Sequence, residues 1–179
     1  STRAGRTVYD GGGVLPDVEV ELSPKAPVLV ALQSQNLFFD FASTYANQQE
    51  GIAASTDFEV SDSLYNAFLA FVEKRDFDFN TVTENQLKIL EEALAKTEHE
   101  DELETHLEVL HERLMAQKDQ DLYRYRDEIS ERLRKEIVRR FFFKAGLIES
   151  SFSRDPDLLA AQAVIKDPAR YEAILSGDR

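Results

Sequence analysis

Across residues 28–141 the apolar side chains return every three or four positions, and that period limits the chain to a mainly α fold. A 3.6-residue turn gathers positions i, i+3, i+4 and i+7 on one face. Val28, Leu29, Leu32, Leu37, Phe38, Phe41 and Tyr45 fit it, with a break expected near Asn36. Residues 47–59 are polar and read as a loop. Ser61 reads as the N-cap of a helix whose Leu64, Phe68, Phe71 and Val72 share a face, with Val60 and Tyr65 placed as a hydrophobic staple. The connector at 76–80 carries Phe77 and Phe79, which are expected to be pinned to the core.

Punctuation divides the rest. Thr83-Glu-Asn-Gln86 reads as a capping box, with Val82 and Leu87 as its staple and Leu90 and Leu94 continuing the face. After a lapse at 97–101, Leu103, Leu107, Leu110 and Leu114 form an a/d seam too short for a coiled coil. A long helix is expected over 119–145, with Leu122, Tyr125 or Arg126, Ile129, Leu133, Ile137 and Phe141 on one face. Gly146 sits where a left-handed C-cap is expected. Asp155-Pro156 and Asp167-Pro168 each pair an N-cap with proline at the first helical position, as does Ser23-Pro24.

The opening residues follow another rule. Val8 and Tyr9 form a β-prone run, and Gly11, Gly12 and Gly13 can adopt turn angles closed to other residues. Pro16 fixes the exit, and Val18-Glu-Val-Glu-Leu22 alternates as a half-buried strand does. One hairpin is marginal in water, so the strands imply a sheet beyond this stretch.

Gly5-Arg6, Val8-Tyr-Asp-Gly-Gly-Gly-Val14 and Pro16-Asp17-Val18 resemble the closing motif of the catalytic core in C-terminal processing (tail-specific) serine peptidases. Leu37-Phe-Phe-Asp-Phe-Ala42, Asp76-Phe-Asp-Phe79, Glu136-Ile-Val-Arg-Arg-Phe-Phe-Phe143, Ile148-Glu-Ser-Ser-Phe152 and Asp155-Pro-Asp157 are similar to the helical extension of Bacteroidetes-type members. The resemblance implies a terminal β-hairpin of the peptidase core over 1–22 and an α-helical C-terminal domain over 23–179. It also implies upstream catalytic and PDZ domains on the same polypeptide, a serine nucleophile with a lysine base, a protein or peptide substrate, and a periplasmic or outer-membrane setting. The segments that bear that Ser-Lys dyad are not among these residues, so the stretch alone is expected not to cut peptides.

Composition sets outer limits. The chain has 179 residues, 42% hydrophobic and 10% aromatic, enough for a real core rather than disorder. A net charge of −13 argues against a nucleic-acid partner, because phosphate binding needs clustered cations. No apolar run approaches the roughly 20 residues that span a bilayer, and the absence of cysteine removes disulfides and thiol catalysis.

No residue earns a catalytic, cofactor or metal assignment. His111-Glu112 begins like H-E-x-x-H, but Met115 stands where the second histidine belongs. Glu108 and His111 make one Glu-x-x-His pair where a di-iron bundle needs two. His99, His106 and His111 read as solvated residues. The glycine triplet lacks the Gly-Lys-Ser/Thr ending of a phosphate loop and leads into a strand.

Two further expectations concern surfaces. The acidic stretch at 91–112 and the basic one at 132–144 are read as complementing each other across antiparallel helices, rather than as a docking surface. Phe141, Phe142 and Phe143 cannot share one helix face at about 100° per residue, so at least one must look away from the local bundle core; internal packing, as on the late helices around Leu158 and Leu159, is preferred over contact with another domain or subunit. The expected role is a non-catalytic domain that braces the core, oligomerises or controls substrate access. The alternative is a stand-alone helical adaptor with no peptidase attached.

Overall fold

The computed structural model describes residues 16–21, 24–94 and 100–176, and among these it is helical, with no strand. The helices are α1 (Pro27–Ser34), α2 (Leu37–Gln48), α3 (Asp62–Glu73), α4 (Val82–Leu94), α5 (Glu100–Asp119), α6 (Asp121–Arg124), α7 (Arg126–Ser151), α8 (Pro156–Lys166) and α9 (Pro168–Ser176). They fall into two compact units. One is Lys25–Leu147; the other holds the described residues of Ser1–Pro24 and Ile148–Arg179.

The larger unit is organised around an aromatic and aliphatic core. Val28, Leu32, Phe38, Phe68, Val72, Ile129, Leu133, Ile137 and Val138 are buried to within 2%, each contributing about 1.5–3 kcal/mol through removal from water. Phe38 stacks on Phe68 at 5.3 Å between ring centroids, while Phe41 meets Phe68 edge-on at 5.2 Å. Asn36 takes a left-handed conformation (φ 58°) and separates α1 from α2, at the break the sequence suggests. Asparagine tolerates that region better than most residues. The Ser61 hydroxyl accepts from the Leu64 amide at 3.2 Å, capping α3. The buried Tyr65 hydroxyl donates to the Leu122 carbonyl, tying α3 to α6. Phe77 and Phe79 stack on each other at 5.5 Å and pack against the core, as expected for the connector.

Several boundaries differ from the sequence reading. The first helix starts at Pro27 with Ala26 as N-cap, so Pro24 is outside it; Ser23 lies outside the described residues. The capping box of α4 is set two residues earlier than Thr83-Gln86. Glu84 donates its amide to Thr81 Oγ1 (3.1 Å), and the Thr81 amide donates to Glu84 Oε2 (2.6 Å). Val82 is then exposed and makes no staple. The long helix is interrupted at Tyr125 and runs on to Ser151, so Gly146 is not a C-cap. It is glycine for another reason: a Cβ there would collide with Phe142 and sit 3.4 Å from the Ser55 side chain. Just before it, Phe143 departs from helical geometry (φ 56°, ψ −154°).

In the smaller unit the Asp155 carboxylate accepts from the amides of Asp157 and Leu158, and the Asp167 carboxylate accepts from Arg170. Both proline-led helices start where their caps predict. The strand expected over Val18–Leu22 is not formed: residues 16–21 bend or extend without a ladder partner among the described residues. The rest of that hairpin, with its glycine triplet, lies outside them.

Candidate functional site

His106 and His111 are exposed on α5, with His111 Nδ1 4.0 Å from Glu91 Oε1 on α4; His99 lies outside the described residues. Among the described residues no group of three or more histidine, aspartate or glutamate side chains is placed to hold a metal. Lys25 is exposed, and Ser23 lies outside the described residues.

Four cations of the basic stretch on α7, Arg132, Arg134, Lys135 and Arg140, pair with acids of their own helix, which corrects the expectation that the stretch complements 91–112. Arg134 is buried to 2% and donates through Nε and Nη2 to both oxygens of Glu131 at 2.8 and 2.9 Å. Burial alone would raise Glu131, yet Arg134 and Lys135 hold it below the usual glutamate range. Glu136 accepts from Arg132 on one oxygen and Arg140 on the other, both at 3.0 Å. Arg140 then reaches α2, donating to the Phe39 carbonyl (2.6 Å) and to Ser43 Oγ, with its guanidinium 4.5 Å above the Phe39 ring. These one-turn pairs satisfy the cations within their own helix. The i, i+4 spacing of Arg132, Glu136 and Arg140 was present in the sequence, but block charge concealed it.

The hairpin formed by α4 and α5 is fastened at its base. Lys118 Nζ lies 2.8 Å from Asp78 Oδ1 and 2.9 Å from Glu84 Oε1, and 5.1 Å above the Phe79 ring. Burial pushes Glu84 up, but hydrogen bonds from Lys118 and Thr81 outweigh it and leave the carboxyl below its usual range. Asp78 is lowered chiefly by its hydrogen bond from Lys118. Burial lowers Lys118, and its two carboxylate partners more than restore it.

Beyond that latch the hairpin is poorly covered. Leu87 is buried, but Leu90, Leu103 and Leu110 are 46%, 46% and 44% exposed. Two helices cannot cover a leucine seam from all sides. On α7, Phe141 and Phe142 pack on the core, whereas Phe143 is 74% exposed, against the expectation of internal packing. The kink at Phe143 sends one ring of the trio outward.

The smaller unit has its own recess. Residues 16–20 line a groove of about 850 Å³ together with Ala161 and Val164 of α8 and Tyr171, Ile174 and Leu175 of α9. The Pro16-Asp17-Val18 end of the opening motif thus lies along the last two helices.

Residues 28–165 match a family model described as "Probable PDZ-protease, C-terminal helical domain". No curated protein and no solved structure matches the chain.

Proposed function

The chain belongs to the family of C-terminal helical domains of probable PDZ-proteases, and from that premise we propose that it braces the catalytic core of a C-terminal processing serine endopeptidase. The parent polypeptide carries catalytic and PDZ domains upstream. It attacks protein or peptide chains with a serine activated by a lysine base, and works in the periplasm or at the outer membrane. These finer features rest on the resemblance of the opening motif. The helical domain itself contributes no reacting group.

One observation carries the bracing role. Residues 16–20, the end of the motif that closes the core in the resembling peptidases, form one wall of the groove whose other wall is α8 and α9. Helices that run beside the chain as it leaves the core resist local opening there, because the half-buried Val18 and Val20 share one apolar groove with Val164 and Ile174, and parting them would expose it further.

Removing residues 155–179 from the full-length parent tests this. Bracing predicts a lower melting temperature of the catalytic domain and slower cleavage of an unstructured protein substrate. An unchanged melting temperature and cleavage rate would overturn it. The chain of 179 residues alone is expected to leave the same substrate intact.

A further inference from the structure

We propose that this domain associates with a second copy of itself, head to tail, by seating the Phe143 knob of one copy on the leucine seam of the α4–α5 hairpin of the next. The two surfaces are both apolar and are complementary in charge. The knob is an exposed phenylalanine flanked by exposed Arg139 and Lys144. Its backbone sits in the left-handed region, a strained state for a bulky residue that is retained mostly where it has a use. The seam offers Leu90, Leu103 and Leu110 within a hairpin whose acids far outnumber its bases.

Both surfaces belong to the same compact unit and both are exposed, so neither covers the other within one molecule. A seam-to-seam dimer would bring two strongly acidic hairpins together, and like charges across an interface oppose it. Knob to seam instead sets cations against acids, which fixes the register of a contact, and removes an aromatic ring and aliphatic side chains from water together. Because the two patches differ, the contact is heterologous and continues into rings or chains.

Complementation tests the arrangement. A knob variant (R139E/F143S/K144E) and a seam variant (L90S/L103S/L110S) are made in the full chain. All six positions are exposed, and circular dichroism with thermal melting confirms that both variants fold. Sedimentation over graded concentrations is expected to show association of the native chain, weakened as salt is raised from about 50 mM to about 500 mM. Each variant alone should associate at least about tenfold more weakly, since hot-spot truncations cost that much or more. Mixed, they should form a closed one-to-one pair, because each retains the surface the other lacks. A native chain that stays monomeric throughout overturns the proposal. So does a knob variant that associates as well as the native chain, or a mixture that forms no pair.

Discussion

The body made by α1, α2, α3 and α7 and the hairpin made by α4 and α5 use the same alphabet, leucines and aromatics at helical spacing with charges between them. They differ in how many neighbours each apolar face meets. Leu133 on α7 is fully buried and Phe68 on α3 likewise, each enclosed by residues from several helices. Leu103 and Leu110 on α5 face one partner helix and remain nearly half exposed. Helical periodicity therefore specifies which face is apolar, and not whether anything covers it.

The largest effects should appear where that contrast is sharpest. Phe68→Ala is expected to cost about 3–5 kcal/mol and Leu133→Ala about 2–5 kcal/mol, through lost burial and residual cavity. Leu103→Ala should cost no more than about 0.5 kcal/mol, the range of surface positions. Urea titration of the three variants measures this, and equal losses at Leu103 and Leu133 would erase the distinction.

Titration separates the regions next. Burial pushes the Tyr65 phenol up to about 12, with the Arg126 charge opposing it. Its raised value means stability is fully present below pH 10 and is lost as pH climbs toward 12, about 2–3 kcal/mol in all. Tyr65→Phe should flatten that alkaline limb. At the hairpin base the sign reverses. Glu84 and Asp78 lie below their ordinary values of 4.5 and 3.8, so their contribution is present above those values and lost as pH falls through the lowered ones. Amide protection factors within α4 and α5, taken relative to intrinsic exchange at each pH, should therefore fall with acid in the native chain and change less in Lys118→Met.

Gly146→Ala should destabilise the body by about 1–3 kcal/mol, the usual cost of forcing an extra carbon into a packed site, because its methyl meets Phe142. Were Gly146 a left-handed cap, Asn would be tolerated there; inside the packed helix, Gly146→Asn should be worse than alanine. Thr81→Ala, which removes half of the capping box, is expected to cost about 1 kcal/mol. Thr83→Ala should cost less, and the reverse order would restore the other register.

Local signals in the sequence located the starts of α3, α8 and α9, while other starts were displaced. Ser61, Asp155 and Asp167 cap through their own next turn, so three residues of context suffice. Thr81-x-x-Glu84 and Thr83-x-x-Gln86 both fit a capping pattern. Glu84 also receives Lys118 from 34 residues away, which no local pattern reveals. Gly146 looked like a terminus because the contact that demands it, with Phe142 one turn back, goes with the backbone departure at Phe143, which no local propensity announces. The faces of α3 and α7 were legible, as was the leucine seam. The exposure of that seam and of Phe143 was not, because periodicity is blind to coverage.

Native-state hydrogen exchange addresses the contrast between body and hairpin most directly, since it reads opening free energies segment by segment. The account predicts that amides of α3 and of the Ile129–Val138 portion of α7 exchange only by global unfolding, while those of α4 and α5 open at a distinctly lower free energy and follow mutations at Lys118. Uniform protection across both regions, unaltered in Lys118→Met, would contradict it.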